Sequence, residues 1–147
     1  MIISIGSDHA GFKTKQIIKE NLEKKGHKVI DFGTFNEDSV NYPLFAFKVG
    51  ESVVKKESEY GIVICGTGIG VSISANKVKG VRCALVTDEN TAKLSREHNN
   101  ANVLALSGRF TPIETNLKIV DLFLETPFAN GRHCTRIDLI SEYERNH

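Results

Sequence analysis

Short apolar runs alternate with amphipathic ones along this chain, and that order leaves few folds open. Ile2 to Gly6, Val29 to Phe32, Gly61 to Cys65, Val81 to Val86 and Asn102 to Leu106 read as strands. Between the first two, Phe12 to Lys25 reads as a helix ended by Gly26, with Ile18 and Leu22 one turn apart. Leu44 to Lys56 carries Ala46, Val49, Val53 and Val54 at helical spacing, and Val71 to Lys77 and Asp88 to Glu97 continue the pattern. Thr111-Pro112-Ile113-Glu114 predicts a capped helix start, with Thr111 as cap, Pro112 in the first helical position and Glu114 closing a capping box. Ile113, Leu117, Val120 and Leu124 would then form its apolar face. A last polar helix is expected over Thr135 to Arg145, outside the alternation. A repeated strand–helix order implies an α/β fold: a five-stranded parallel, Rossmann-like sheet between helical layers. The 147 residues suit a single domain spanning 1–147.

Ligands of such sheets sit at the carboxyl ends of the strands. Residues able to do chemistry fall at those ends: Asp8-His9, Cys65 to Gly70, Asp88 and Arg109. Asp8 also fits an ordinary capping role in the turn Asp8-His9-Ala10-Gly11.

The run Cys65-Gly66-Thr67-Gly68-Ile69-Gly70 is the most pointed of these. A strand delivers a thiol to the sheet edge, and a glycine turn then leaves N–H groups facing outward at a helix start. Unpaired N–H donors and the positive end of the helix dipole bind anions. The same field favours a thiolate on a neighbouring cysteine. A proton-accepting thiolate beside an anion hole can remove a proton next to a carbonyl. Cys83, between Arg82 and Ala84, reads instead as a core residue, and Cys134 carries no assigned role. A dinucleotide fingerprint is the rival reading of the turn. Gly68-Ile69-Gly70-Val71-Ser72-Ile73 lacks the third glycine, although Asp88 lies near the expected distance, so that alternative stays open here. No Gly-Lys-Ser/Thr follows, which excludes a P-loop.

A second cluster is Arg132-His133-Cys134-Thr135-Arg136. Two guanidiniums four residues apart suit a phosphate dianion. A dianion bound on the 66–70 turn would disfavour the thiolate by like charge, so the arginines are the better phosphate site and the turn the better oxyanion site. His98, at the end of a helical segment, could donate a proton. The histidines show no metal-ligand spacing, and no metal or other cofactor is expected.

Composition narrows the function classes. A net charge of +1 gives no bulk attraction to nucleic acid or anionic membranes. No apolar run approaches the roughly 18 residues of a membrane span, and Met1 to Ile5 is too short for a signal peptide. Three widely spaced cysteines argue against a disulfide framework. A cytoplasmic protein acting on a small molecule is the expectation.

Gly6-Ser7-Asp8-His9-Ala10-Gly11, Asp31-Phe32-Gly33-Thr34, Asn41-Tyr42-Pro43, Ile64 to Gly70 with Ala75-Asn76-Lys77, Ser95-Arg96-Glu97-His98-Asn99 and Gly131-Arg132-His133 together resemble one family. It is that of the type B ribose-5-phosphate isomerases, which also holds allose-6-phosphate isomerases and galactose-6-phosphate isomerase subunits. The resemblance runs nearly end to end. It implies interconversion of ribose 5-phosphate and ribulose 5-phosphate, a step of the pentose phosphate pathway, through a cis-enediolate and without a cofactor.

It also implies roles for individual residues. Cys65 is the base that moves the proton between C1 and C2, since Val71 stands where other members carry a glutamate. Gly66, Gly68, Ile69 and Gly70 form the oxyanion hole, and Thr67 assists proton movement between oxygens. His98 and Asp8 open the furanose ring, with Asn99 beside the reacting oxygens and Tyr42 lining the pocket. His9, Arg109, Arg132 and Arg136 hold the phosphate. Ser74 departs from the usual alanine without evident consequence. The resemblance finally implies a homo-oligomer, dimer or tetramer, with sites shared between subunits. Isomerisation of a phosphorylated hexose is the nearest alternative activity.

Overall fold

The computed structural model describes residues 1–147. The chain runs β1 (Ile2–Ser7), α1 (Phe12–Lys24), β2 (Lys28–Asp31), α2 (Tyr42–Val54), β3 (Tyr60–Cys65), α3 (Ile69–Ala75), β4 (Cys83–Leu85), α4 (Glu89–Glu97), β5 (Val103–Ser107), α5 (Ile113–Glu125) and α6 (Arg132–Asn146). The five strands form one parallel sheet in the order β2-β1-β3-β5-β4. This is the α/β sandwich that the alternation implies, with α6 as the additional C-terminal helix.

Two apolar cores flank the sheet, because strands buried on both faces must present side chains to both. On one face Ile3, Ile5, Ile62, Ile64, Leu104 and Leu106 meet Ile18 and Leu22 of α1 and Ile119, Val120 and Phe123 of α5. On the other, Val63, Cys65, Val103 and Ala105 meet Ala46, Val49 and Val53 of α2 and Val71 and Ala75 of α3. Neighbouring strands β1 and β3 therefore send their following helices to opposite faces. The crevice that opens between their carboxyl ends is the place where an open α/β sheet binds ligands. Asp8 and Cys65 stand on its two sides.

Local chemistry fixes this frame. Lys15, fully buried on α1, donates to Asp31 at 2.6 Å, and Asp31 also accepts the Gly33 N–H at 2.8 Å. That buried pair pins the end of β2 to α1. Asp88 caps α4 by accepting the Thr91 N–H at 2.8 Å, and those bonds hold its carboxyl below the usual range.

Several expectations change in detail. The α2 and α3 helices each start two residues earlier than their apolar spacing suggests, at Tyr42 and Ile69, so Gly70 lies in the first turn of α3. The fourth strand shrinks to Cys83–Leu85, because the Asn102 side chain takes the Arg82 N–H at 2.8 Å in place of a ladder partner. Cys83 thus opens the strand rather than sitting mid-strand, half-buried and packed against the second core as expected. No capping box forms at α5: Pro112, not Thr111, holds the cap position, and no side chain caps it. The buried face of α5 is also rotated, to Asn116, Ile119, Val120 and Phe123. Asn116 is buried because its Nδ2 donates to the Ser107 carbonyl at 3.0 Å, a polar role that an apolar count overlooks. The last helix begins at Arg132, three residues early, which places Arg132 and Arg136 one turn apart.

Candidate active site

The β1–β3 crevice holds a pocket of about 460 Å³. Asp8, His9 and Ala10 come from the end of β1, and Cys65, Gly66, Thr67, Ile69 and Gly70 from β3 and its turn. Tyr42 and Ile73 come from α2 and α3, and Arg109 from the segment after β5. Cys65 is only 5% exposed, yet it lines this open pocket rather than lying sealed inside.

The turn after Cys65 is shaped by its own hydrogen bonds. The Gly68 N–H donates to Cys65 Sγ at 3.2 Å. Gly68 has φ +82, the left-handed region open to glycine, and an added Cβ would sit 2.5 Å from Leu85 Cδ1. Gly70 is required for a different reason: a Cβ there would lie 2.5 Å from the Tyr42 ring. The Ile69 N–H donates to Thr67 Oγ1 at 3.1 Å, which leaves the threonine hydroxyl proton available. The N–H groups of Gly66, Thr67 and Gly70 bond nothing within the chain. A carbonyl or enediolate oxygen in this pocket would meet donors already in place.

From below, β5 steadies the turn. Gly66 O accepts from Ser107 Oγ at 2.7 Å and from the Arg109 N–H at 3.1 Å, while the Gly108 N–H donates to Cys65 O at 2.9 Å. Asp8 is buried, and its Oδ1 accepts the Gly11 N–H at 3.0 Å, so its second oxygen is the one left for chemistry. His9 Nδ1 accepts the Val40 N–H at 3.2 Å, which puts the ring proton on Nε2 as a donor toward the pocket. The carboxylate of Asp88, the acidic group of the dinucleotide reading, is occupied as the α4 cap.

The remaining predicted residues lie elsewhere in the chain. The pocket lining includes neither His98 nor Asn99, and neither Arg132 nor Arg136. His98, the C-cap of α4, stacks on His133 with ring centres 4.4 Å apart. His133 titrates below the ordinary histidine range, through lost solvation first and then the charges of His98, Arg132 and Arg136. These four groups therefore form a second, cationic cluster on α4 and α6. His133 is the member that residue spacing does not reveal; its adjacency to Arg132 is the available signal. Cys134 is half-buried on α6, and the Cys83 thiol is pushed up to about 12 by burial, so neither shares the setting of Cys65.

Comparison with known proteins adds a family. The Ribose/Galactose Isomerase family model matches residues 3–140. The chain is 51% identical over 145 residues to a probable ribose-5-phosphate isomerase B of Mycoplasma genitalium, covering 97% of this chain and 95% of the relative. Among solved structures it is similar to the ribose-5-phosphate isomerase B of Clostridium thermocellum, with a TM-score of 0.98, 51% identity and 99% of each chain covered. It is equally similar in sequence, 51%, to the Mycoplasma genitalium isomerase solved with bound ribulose-5-phosphate, at a TM-score of 0.96 over 99% of this chain and 97% of that one.

Proposed function

We propose, from the premise that this chain belongs to the ribose/galactose isomerase family, that it interconverts D-ribose 5-phosphate and D-ribulose 5-phosphate with Cys65 as the base. The Cys65 thiolate takes the proton from C2 of the open-chain aldose. The resulting cis-enediolate carries its charge on oxygens held by the N–H groups of Gly66, Thr67 and Gly70. The Thr67 hydroxyl passes a proton between the two oxygens, and the Cys65 thiol returns its proton to C1, which yields the ketose. Asp8 accepts a proton as the furanose ring opens, and His98 supplies one to the ring oxygen, with Asn99 beside the reacting oxygens. No redox partner or metal enters this balance, since the hydrogen leaves one carbon and returns to its neighbour.

The phosphate belongs on His9 Nε2 and on the guanidiniums of Arg109, Arg132 and Arg136. Holding the phosphate on these cations rather than on the glycine turn keeps its charge off the N–H groups that serve the enediolate. The pocket of one chain has His9 and Arg109 in its lining but not Arg132 or Arg136. We therefore read the complete site as shared: His98, Asn99, Arg132 and Arg136 of one copy close over the pocket of another in a homo-oligomer. Exposed Ile69, Ile73, Leu139, Ile140 and Tyr143 on α3 and α6 suit such an interface. No helix is long and apolar enough to cross a membrane. Three unpaired cysteines, one of them the base, suit the reducing cytoplasm.

The observation that carries this reading is Cys65 Sγ in the crevice, accepting an N–H from a turn in which the Gly66, Thr67 and Gly70 N–H groups are unused. Cys65→Ala should lower turnover at least about 10²-fold while binding of a phosphate ligand survives. Near-normal turnover in that variant would contradict the assignment. Rates on allose 6-phosphate and galactose 6-phosphate should fall below that on ribose 5-phosphate; a faster hexose rate would move the substrate to the hexose branch.

A further inference from the structure

At the amino ends of the strands, across the sheet from Cys65, lies a second cavity of about 440 Å³. Its lining includes Ile2, Lys56, Tyr60, Arg96, Asn100 and Asn102. Arg96 is its unusual member. This α4 residue is 5% exposed, and no ion pair of the chain includes it. Its Nε donates to Thr126 O at 3.2 Å, and its Nη1 to Asn100 Oδ1 at 2.8 Å and Ala101 O at 2.6 Å. The guanidinium carbon lies 4.9 Å from the Tyr60 ring centre and 5.8 Å from that of Phe123. Three of the five guanidinium N–H donors are thus used. Both hydrogens of Nη2 bond nothing in the chain, and neither do Asn100 Nδ2 nor the Tyr60 hydroxyl.

Carbonyl oxygens and ring faces solvate a buried cation only partly; they supply no opposite charge. The surroundings add positive charge instead. Arg82 Nε donates to Asn100 O at 3.0 Å. Burial first, and then the charge of Arg96, hold Arg82 below its ordinary range, against the pull of Glu144. Exposed Lys56 stands at the rim, but so do the exposed carboxylates of Glu57 and Glu59. That mixture repels a polyanion. It suits a molecule with one anionic head and hydroxyl groups toward the rim, and the volume falls in the range of about 300–1,000 Å³ typical of small-molecule sites.

We propose that this cavity is a second small-molecule site, taking a hydroxylated metabolite with one phosphate or carboxylate head on the Nη2 edge of Arg96. Asn100 Nδ2 and the Tyr60 hydroxyl supply the further donors. The site does not depend on which sugar phosphate the Cys65 pocket turns over. It adjoins that chemistry through α4, because the guanidinium that receives the head also fixes the turn after His98 through Asn100 and Ala101.

Nuclear magnetic resonance of the isotopically labelled full chain tests this, with glycerol 3-phosphate and glycerate as separate probes at up to about 10 mM, above the usual range of metabolite affinities. At least one probe should give saturable shifts at Arg96 Nε–Hε, the Asn100 side-chain amide and Tyr60, and the stronger one identifies the head. Tyr60→Phe keeps the ring and removes one donor; it should weaken binding roughly three- to tenfold. Asn100→Gly, at a φ of 46 that glycine accepts, should weaken it similarly. Arg96→Lys should abolish it. The proposal is overturned if neither probe moves these resonances, if shifts are confined to the Cys65 pocket, or if both Tyr60→Phe and Asn100→Gly leave the affinity unchanged. Ribose 5-phosphate turnover of the same samples keeps a failure here distinct from a failure of the isomerase reading.

Discussion

The crevice around Cys65 and the cluster around His133 are built on opposite principles. The first is backbone: strand ends at β1 and β3, a turn with one left-handed glycine, N–H groups fixed by the sheet beneath them. The second is side chains on two helix ends, a half-buried stack of two imidazoles beside two exposed guanidiniums. Rigid donors suit the place where charge develops in the transition state. Two guanidiniums one helical turn apart, in no ion pair, suit an anion that arrives with the substrate. On the proposed function, chemistry belongs to the crevice and grip to the cluster, and the two complete each other.

Variants should separate the two. The largest effect belongs to the backbone half. Gly68→Ala puts a Cβ 3.0 Å from the Leu106 carbonyl and 2.5 Å from Leu85 Cδ1, at a φ alanine resists. The turn must shift, and kcat should fall at least about 10²-fold, the scale of a lost oxyanion donor. A kcat within threefold of the parent would break the assignment of chemistry to that turn. In the side-chain half, Arg136→Ala should raise KM roughly 10- to 100-fold and leave kcat nearly intact, since it removes binding common to ground and transition states. A kcat loss with unchanged KM would reverse the comparison.

A subtler effect concerns protons. Neighbouring cations disfavour the His133 imidazolium, so removing one must raise its titration midpoint. His98→Gln and, by less, Arg136→Ala should each move that midpoint upward in a resonance-followed pH titration. A downward move would contradict the clustering. The smallest effect is at Cys83, whose thiol, pushed to about 12, stays protonated at about pH 8. Iodoacetamide should then label Cys65, with protection by ribulose 5-phosphate, and leave Cys83 unmodified in the folded protein; labelling at Cys83 ahead of Cys65 would undo the contrast between the two cysteines.

The same contrast governs how much of the molecule is legible in its amino-acid sequence. The crevice is legible because its signals are local: an apolar run, a cysteine, then glycines, with the strand–helix order saying which end of the sheet binds. Asp8 and Arg109 follow from that rule alone. Tertiary bonds are not legible. Asn116 faces inward to serve the Ser107 carbonyl, and Asn102 replaces a ladder bond at Arg82. The capping box at Thr111 does not form because Pro112 takes the cap position itself. The stack of His98 on His133 joins residues 35 positions apart, from two helices, so no spacing could announce it.

Mixing two variants that are both impaired at low substrate tests most directly that crevice and cluster from different copies make one site. Cys65→Ala and Arg136→Ala proteins, unfolded together and refolded at equal concentrations, should recover activity at low substrate. About a quarter of the parent activity is expected for a dimer assembled at random, because each mixed pair regains one intact site. Recovery no greater than the sum of the separate variants would mean that each chain completes its own site, and would contradict a site shared between copies.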